Sequence, residues 1–161
     1  MNKREIRFEY KAFEAADELN QQDRQLLEEA KKAIETSYAP YSHFHVGAAV
    51  LLEDGTIVRG SNQENAAYPS GLCAERVALF AASAQHPGKA VVAIAVTVKS
   101  ERMIIAEPLP PCGACRQVMT EYEHLGGQNM KVILQGEQGE IRVIDRADQL
   151  LPFTFNPEHL K

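Results

Sequence analysis

The sequence predicts an α/β fold, a largely parallel sheet with helices on both faces. Three observations carry this. Segments with strand and helix patterning alternate along the chain. Ala90 to Val96 is an uninterrupted apolar run, rich in valine, typical of a strand covered on both faces. The length is 161 residues, with 45% hydrophobic and 24% charged residues, which suits one domain able to bury a core. The chain is therefore read as a single domain over residues 1–161, with residues 1–19 as an N-terminal extension.

Each element has its own warrant. Ile6, Phe8 and Tyr10 alternate with Arg7 and Glu9, which predicts a half-buried strand within the extension. Asn20 followed by Asp23 marks a helix start, and Leu26, Leu27, Ala30, Ala33 and Ile34 fall on one helical face. That helix stops ahead of Pro40, because the residue before proline avoids helical angles. Val46, Ala48, Val50 and Leu52 alternate, then Asp54-Gly55 turns the chain into Thr56 to Gly60, a hairpin. Cys73 to about Gln85 reads as a mostly apolar helix, and Ala90 to Val98 as a buried strand. Pro108, Pro110 and Pro111 stiffen the loop before a second such helix, which starts near Cys112 and fades by Gly126-Gly127. Lys131 to Gln135 and Ile141 to Ile144 are two short strands around a glycine-containing turn.

Composition excludes several classes of function. The longest apolar run is too short to span a bilayer. The N-terminus is charged, with no apolar stretch behind it, so no secretory signal and a cytoplasmic location are expected. The net charge of -5, without a basic run, argues against holding a nucleic-acid polymer.

The chemistry concentrates in three cysteines, Cys73, Cys112 and Cys115. An odd number in a reducing compartment suggests metal binding or catalysis rather than cross-linking. Cys112-Gly113-Ala114-Cys115 places two sulfurs on one side of a first helical turn, with Pro111 suited to the helix start. Cys73 is expected at the equivalent place on the other helix. Helix N-termini favour thiolates, and three of them converging make a zinc cradle with one open tetrahedral position, the mark of a catalytic site. Glu75, two residues on, would face the same cavity and exchange a proton with water there. Two other readings compete. Cys-x-x-Cys at a helix start is also a thiol-disulfide redox arrangement, but that chemistry needs neither Cys73 nor Glu75. A structural zinc in a non-catalytic interaction module would want a fourth ligand, for which His43 and His45 are the nearest candidates.

Cys73-Ala74-Glu75-Arg76 with Pro111-Cys112-Gly113-Ala114-Cys115-Arg116-Gln117 resembles the zinc-dependent cytidine deaminases. So do Tyr38-Ala39-Pro40-Tyr41-Ser42, Phe44-x-Val46-Gly47-Ala48-Ala49 and Asn62-x-Glu64-Asn65-Ala66-x-Tyr68. The motifs stand in order over roughly residues 30 to 155. Cysteine rather than histidine at position 73 points to the small, homotetrameric, three-cysteine branch acting on free nucleosides.

The resemblance implies a three-layer α/β/α sandwich with a mixed, about five-stranded central sheet, here with an added N-terminal strand. It implies one zinc per subunit on Cys73, Cys112 and Cys115, and hydrolysis of cytidine or deoxycytidine to the uridine and ammonia. Zinc lowers the pKa of a water from about 15.7 to about 7 in favourable sites. Glu75 is implied to take the water proton and deliver one to ring N3, making C4 electrophilic. Three thiolates over-neutralise a divalent ion, and Arg76 is similar to the arginine that drains this charge. Asn62 and Glu64 match the pair holding the ribose hydroxyls, Phe44 the aromatic against the pyrimidine, and Ala74 a backbone contact to the base edge. Tyr68 and Phe155 complete the implied substrate contacts. Phe155 is expected to reach a neighbouring subunit's site, with Phe153 in the core. The nearest rival substrate is the cytosine nucleoside blasticidin, against which Phe44 and Asn62-x-Glu64-Asn65 favour cytidine.

Overall fold

A computed structural model describes residues 1–160 of the chain. The Asn20 side chain accepts the Asp23 N–H at 2.9 Å and so caps α1 (Gln21–Ala33), as its position predicts. Leu26, Leu27 and Ala30 on one face of α1 are fully buried. A single 3-10 turn, Ile34–Thr36, ends the helix well before Pro40. The hairpin follows as β2 (Phe44–Leu52) and β3 (Ile57–Ser61), turning at Gly55 with φ 88°. The remaining elements are α2 (Ala74–Gln85), β4 (Val91–Ser100), α3 (Gly113–Gly126), β5 (Lys131–Gln135) and β6 (Ile141–Ile144). Gly127 closes α3 in the left-handed conformation.

One six-stranded sheet runs in the order β1-β6-β5-β4-β2-β3, where β1 is Lys11–Phe13. Of its neighbouring pairs only β4 and β5 are parallel, so the sheet is mixed rather than largely parallel. The β3–α2–β4 crossover does join two parallel strands. They are not neighbours, because β2 lies between them and pairs antiparallel with both. A chain-order reading of strand, helix, strand misses such an intervening partner.

The N-terminal strand also falls elsewhere than its alternation suggests. β1 pairs antiparallel with β6, Lys11 opposite Val143 and Phe13 opposite Ile141. The register sets Tyr10 opposite Ile144, the last residue of β6, so the chain before Tyr10 runs past the end of its partner. Ile6, Phe8 and Tyr10 are 62%, 46% and 50% exposed.

The sheet separates two cores. On one face α1 packs Leu26, Leu27 and Ala30 against Ala49, Leu51, Ile133 and Ile141. On the other, Leu79 of α2 and Met119 of α3 join Val50, Ile94, Val96 and Val132. This is the three-layer sandwich. Two glycines set the helix–sheet spacing. A Cβ on Gly47 would lie 2.1 Å from the Ala30 carbonyl oxygen, and one on Gly60 would lie 2.3 Å from the Ala78 nitrogen. Both helices thus rest backbone to backbone on the sheet. Among the described residues no helix is long and apolar enough to cross a membrane.

Glu123 secures the far end of α3. Its buried carboxylate accepts the N–H groups of Met130 and Ala147 at 2.8 Å each, and of Asp148 at 3.2 Å. Removing a shared acceptor strands these donors in a dry environment. Glu123→Ala is expected to destabilise the fold by about 3 kcal/mol, lowering the thermal midpoint by about 8 °C in a calorimetric scan.

Candidate functional site

Both cysteine segments end where a helix begins. Cys73 is the N-cap of α2 and Cys112 the N-cap of α3, each with extended backbone angles and no side-chain capping bond. Their sulfurs are therefore left to face each other across the two helix starts. Cys73 Sγ and Cys112 Sγ stand 3.8 Å apart, and Cys112 Sγ and Cys115 Sγ 3.4 Å. All three thiols lie within 4.8 Å of one another. Sulfurs bound to zinc at about 2.3 Å on a tetrahedron are separated by roughly 3.8 Å, so the cluster has the right size for that ion.

Charge points the same way. The Cys73 thiol is brought down to about 5, first by a hydrogen bond from Cys115 and then by Arg76 and Cys112, against its burial. The Cys115 thiol is pushed up, by donating to Cys73, by burial and by the Glu75 charge. Metal ligands bind as thiolates, so a divalent cation is the chemical complement of three such sulfurs. Arg76 reaches Cys73 Sγ at 3.7 Å through one terminal nitrogen. Its Nε is buried without an acceptor among the described residues. A guanidinium with spare donors beside crowded sulfurs fits the charge-draining role expected of it.

Glu75 is 4% exposed, in the first turn of α2. Burial pushes its carboxyl above the usual range, and the Cys73 charge adds to this, partly opposed by a bond from its own backbone N–H. It lines, with Cys73, Arg76 and Cys112, a cleft of about 900 Å³. The helical offset between Cys73 and Glu75 is thus resolved by the cap: Cys73 precedes the helix, and both reach the same cavity.

Phe44, Asn62, Glu64 and Tyr68 line the same cleft. One oxygen of Glu64 accepts the backbone N–H groups of Tyr41 and Ser42 at 2.9 and 3.2 Å. Burial opposes ionisation of Glu64, but these bonds and the Ser42 hydroxyl outweigh it and hold the carboxyl below its ordinary value. Its other oxygen takes neither of these backbone bonds. Asn62 is more tightly committed. Its Oδ1 accepts from Ser37 Oγ at 2.6 Å and from the Val46 N–H at 2.8 Å, and its Nδ2 donates to the Phe44 carbonyl at 2.8 Å. The amide keeps one N–H to spare and braces the strand that carries Phe44. Tyr68 is 78% exposed and meets Tyr41 edge-on.

Other expected residues lie apart from the cleft wall. Cys115 and Ala74 are fully buried behind it. His43 and His45 both bind Glu101, at 3.0 and 3.1 Å, and neither joins the thiol cluster. Phe155 is outside this chain's cleft, stacked on His159, with its carbonyl accepting from Gln117. Phe153 is a correction. It is 95% exposed with φ 58°, not core, because the tail turns sharply there and carries the ring outward.

Met103, Ile105 and Leu109 also line the cleft and were not anticipated. Their loop is anchored by the Glu137 N–H donating to the Ile105 carbonyl at 2.7 Å, with the Gly136 backbone close beneath. The only sequence signal was that apolar residues precede a proline-stiffened approach to Cys112.

The family model for the cytidine and deoxycytidylate deaminase zinc-binding region matches residues 20–125. The chain is 48% identical to a cytidine deaminase of Halalkalibacterium halodurans over 86% of its length and 98% of that protein. A cytidine deaminase of Sporosarcina psychrophila is 44% identical over 84% of this chain and 92% of its own. The crystal structure of cytidine deaminase from Burkholderia pseudomallei superimposes with a TM-score of 0.70 at 47% identity. That alignment covers 81% of this chain and 97% of the crystallised one.

Proposed function

The chain belongs to the cytidine and deoxycytidylate deaminase zinc-binding family, and on that premise we propose that it hydrolyses cytidine and deoxycytidine to the uridines with release of ammonia. The observation that carries the reading is the clustering of three thiols, two of them on the cleft wall and Cys115 just behind it, beside one buried carboxyl that lines the cleft. Cys73, Cys112 and Cys115 hold one zinc ion, which supplies Lewis acidity toward a water in the cleft. Glu75, desolvated and ready to hold a proton, takes one from the attacking water and gives it to ring N3. The remaining hydroxide adds to C4; Glu75 then takes the proton of that new hydroxyl and passes it to the amine, so that the C4–N bond breaks, ammonia leaves and the C4 carbonyl forms. Arg76 offsets the negative charge of the sulfurs.

The remaining residues orient the nucleoside. Phe44 lies against the pyrimidine, and the Ala74 backbone meets the base edge. Asn62 and Glu64 take the ribose hydroxyls: the carboxylate oxygen outside the backbone bonds accepts from a hydroxyl, and its charge repels a phosphate at that place. That selects a free nucleoside over a nucleotide chain. The enzyme is read as a cytoplasmic homotetramer in pyrimidine salvage, with Tyr68 at the cleft mouth and Phe155 serving a neighbouring subunit's site. The exposure of Phe155 and its absence from the cleft of its own chain support that assignment.

Zinc content and cytidine turnover measured on one preparation test the reading. One zinc per chain with stoichiometric ammonia release is expected, and chelation should abolish turnover until zinc is returned. Metal-free protein with a reversible Cys112–Cys115 disulfide would replace it with redox chemistry. Turnover of blasticidin with cytidine inert would reassign the substrate.

A further inference from the structure

The N-terminal arm has an unused edge. It lies outside the family match, which begins at residue 20. Its base is fixed: Lys11 binds Asp145 at 2.9 Å, and the Arg142 guanidinium sits 5.5 Å over the Tyr10 ring. Residues 5–10 pair with no strand among the described residues, and their apolar side chains are about half exposed or more. Isolated alternation of this kind is a strand without a sheet.

Its charges are arranged symmetrically. In an antiparallel pairing of this segment with itself, centred on Phe8, residue positions opposite each other add to 16. Arg7 then faces Glu9, and Glu5 faces Lys11, each twice by symmetry, all on one side. Ile6 faces Tyr10 and Phe8 faces Phe8 on the other. Arg7 and Glu9 meet their opposites, Glu5 comes beside the Lys11 ammonium that also binds Asp145, and every apolar position meets an apolar one. Shifting the register by two positions in one direction puts Arg7 opposite Arg7, and in the other Glu9 opposite Glu9, so like charges disfavour the slips. Within the chain Arg7 has only an exposed contact to Glu5 at 3.8 Å, which leaves it free for such a partner.

We propose that residues 5–11 pair with the same segment of a second copy of this chain, as a two-fold antiparallel strand pair centred on Phe8. The two copies are thereby joined at an interface built by the arm and independent of the active-site cleft.

The two-fold axis makes the test sharp. Residues directly opposite on antiparallel strands have Cα atoms about 4.5–5.5 Å apart, within disulfide reach. In the full-length, zinc-loaded enzyme, Phe8→Cys is expected to form a covalent dimer under oxidised glutathione. Ile6→Cys, at the more exposed position but with its two thiols roughly 13 Å apart, should cross-link about tenfold more slowly. Adding Arg7→Glu to Phe8→Cys places glutamates face to face and should slow cross-linking about tenfold. Adding Glu9→Arg as well should restore it, because the swapped charges again match. Equal cross-linking of Phe8→Cys and Ile6→Cys, or a double swap no better than the single one, would overturn the pairing. Cytidine turnover is expected to be unchanged in every variant.

Discussion

Glu75→Gln is expected to retain one zinc per chain and to lose at least about 10³-fold in turnover. The substitution keeps the shape of the side chain and its place in the first turn of α2, so the thiol cluster has no steric reason to move. What it removes is the ability to carry a proton. The wild-type carboxyl is 4% exposed and raised by burial, which makes it a better base than an exposed glutamate and an effective acid once protonated. An amide in the same position neither collects the water proton nor delivers one to N3. Because those transfers belong to the transition state, kcat should fall with little change in the KM for cytidine. Parallel metal analysis and steady-state kinetics check this. Turnover within tenfold of wild type, with zinc in place, would remove Glu75 from the proton path.

The metal cradle was legible in the sequence because its parts are local. Pro111, Cys112 and Cys115 specify a helix start with two sulfurs on one turn, and spacing alone places them. Cys73 joins them only by analogy of position, since nothing local says that two helix starts meet. The structure supplies that meeting through the sheet. β3 leads into α2 and β4 into α3, so both N-termini open at the same cleft. Features set by distant partners differ from the local expectation. Alternating strands and helices suggest parallel neighbours, but β2 intervenes between β3 and β4. Strand β1 lies later in the chain than the alternation of residues 6–10 suggests, because β6 offers no residue opposite positions before Tyr10. The fate of Phe153 depended on a single left-handed backbone turn, which an aromatic residue gives no hint of.

The seating of α2 is as consequential as its catalytic residue. A Cβ at position 60 would stand 2.3 Å from the Ala78 nitrogen, 2.7 Å from the Ala74 carbonyl oxygen and 2.8 Å from the Ala78 Cα. All three atoms are helix backbone, so no rotamer change relieves the overlap. Gly60→Ala must therefore lift the start of α2 off β3 by roughly 1 Å, at a cost of about 3 kcal/mol for overpacking. Cys73 and Glu75 ride on that turn, whereas Cys112 and Cys115 ride on α3 and stay. The displacement thus separates one thiol from the other two and swings the carboxyl away from the reacting ring. A misplacement of about 1 Å at a catalytic group costs on the order of 10²-fold in rate, and weaker zinc retention should accompany it. Measured together, a lower thermal midpoint, faster zinc loss to a chelator and a kcat reduced about 100-fold would locate the effect in the helix seat. Wild-type kcat and zinc retention in Gly60→Ala would show instead that the Gly60 contact does not position the site.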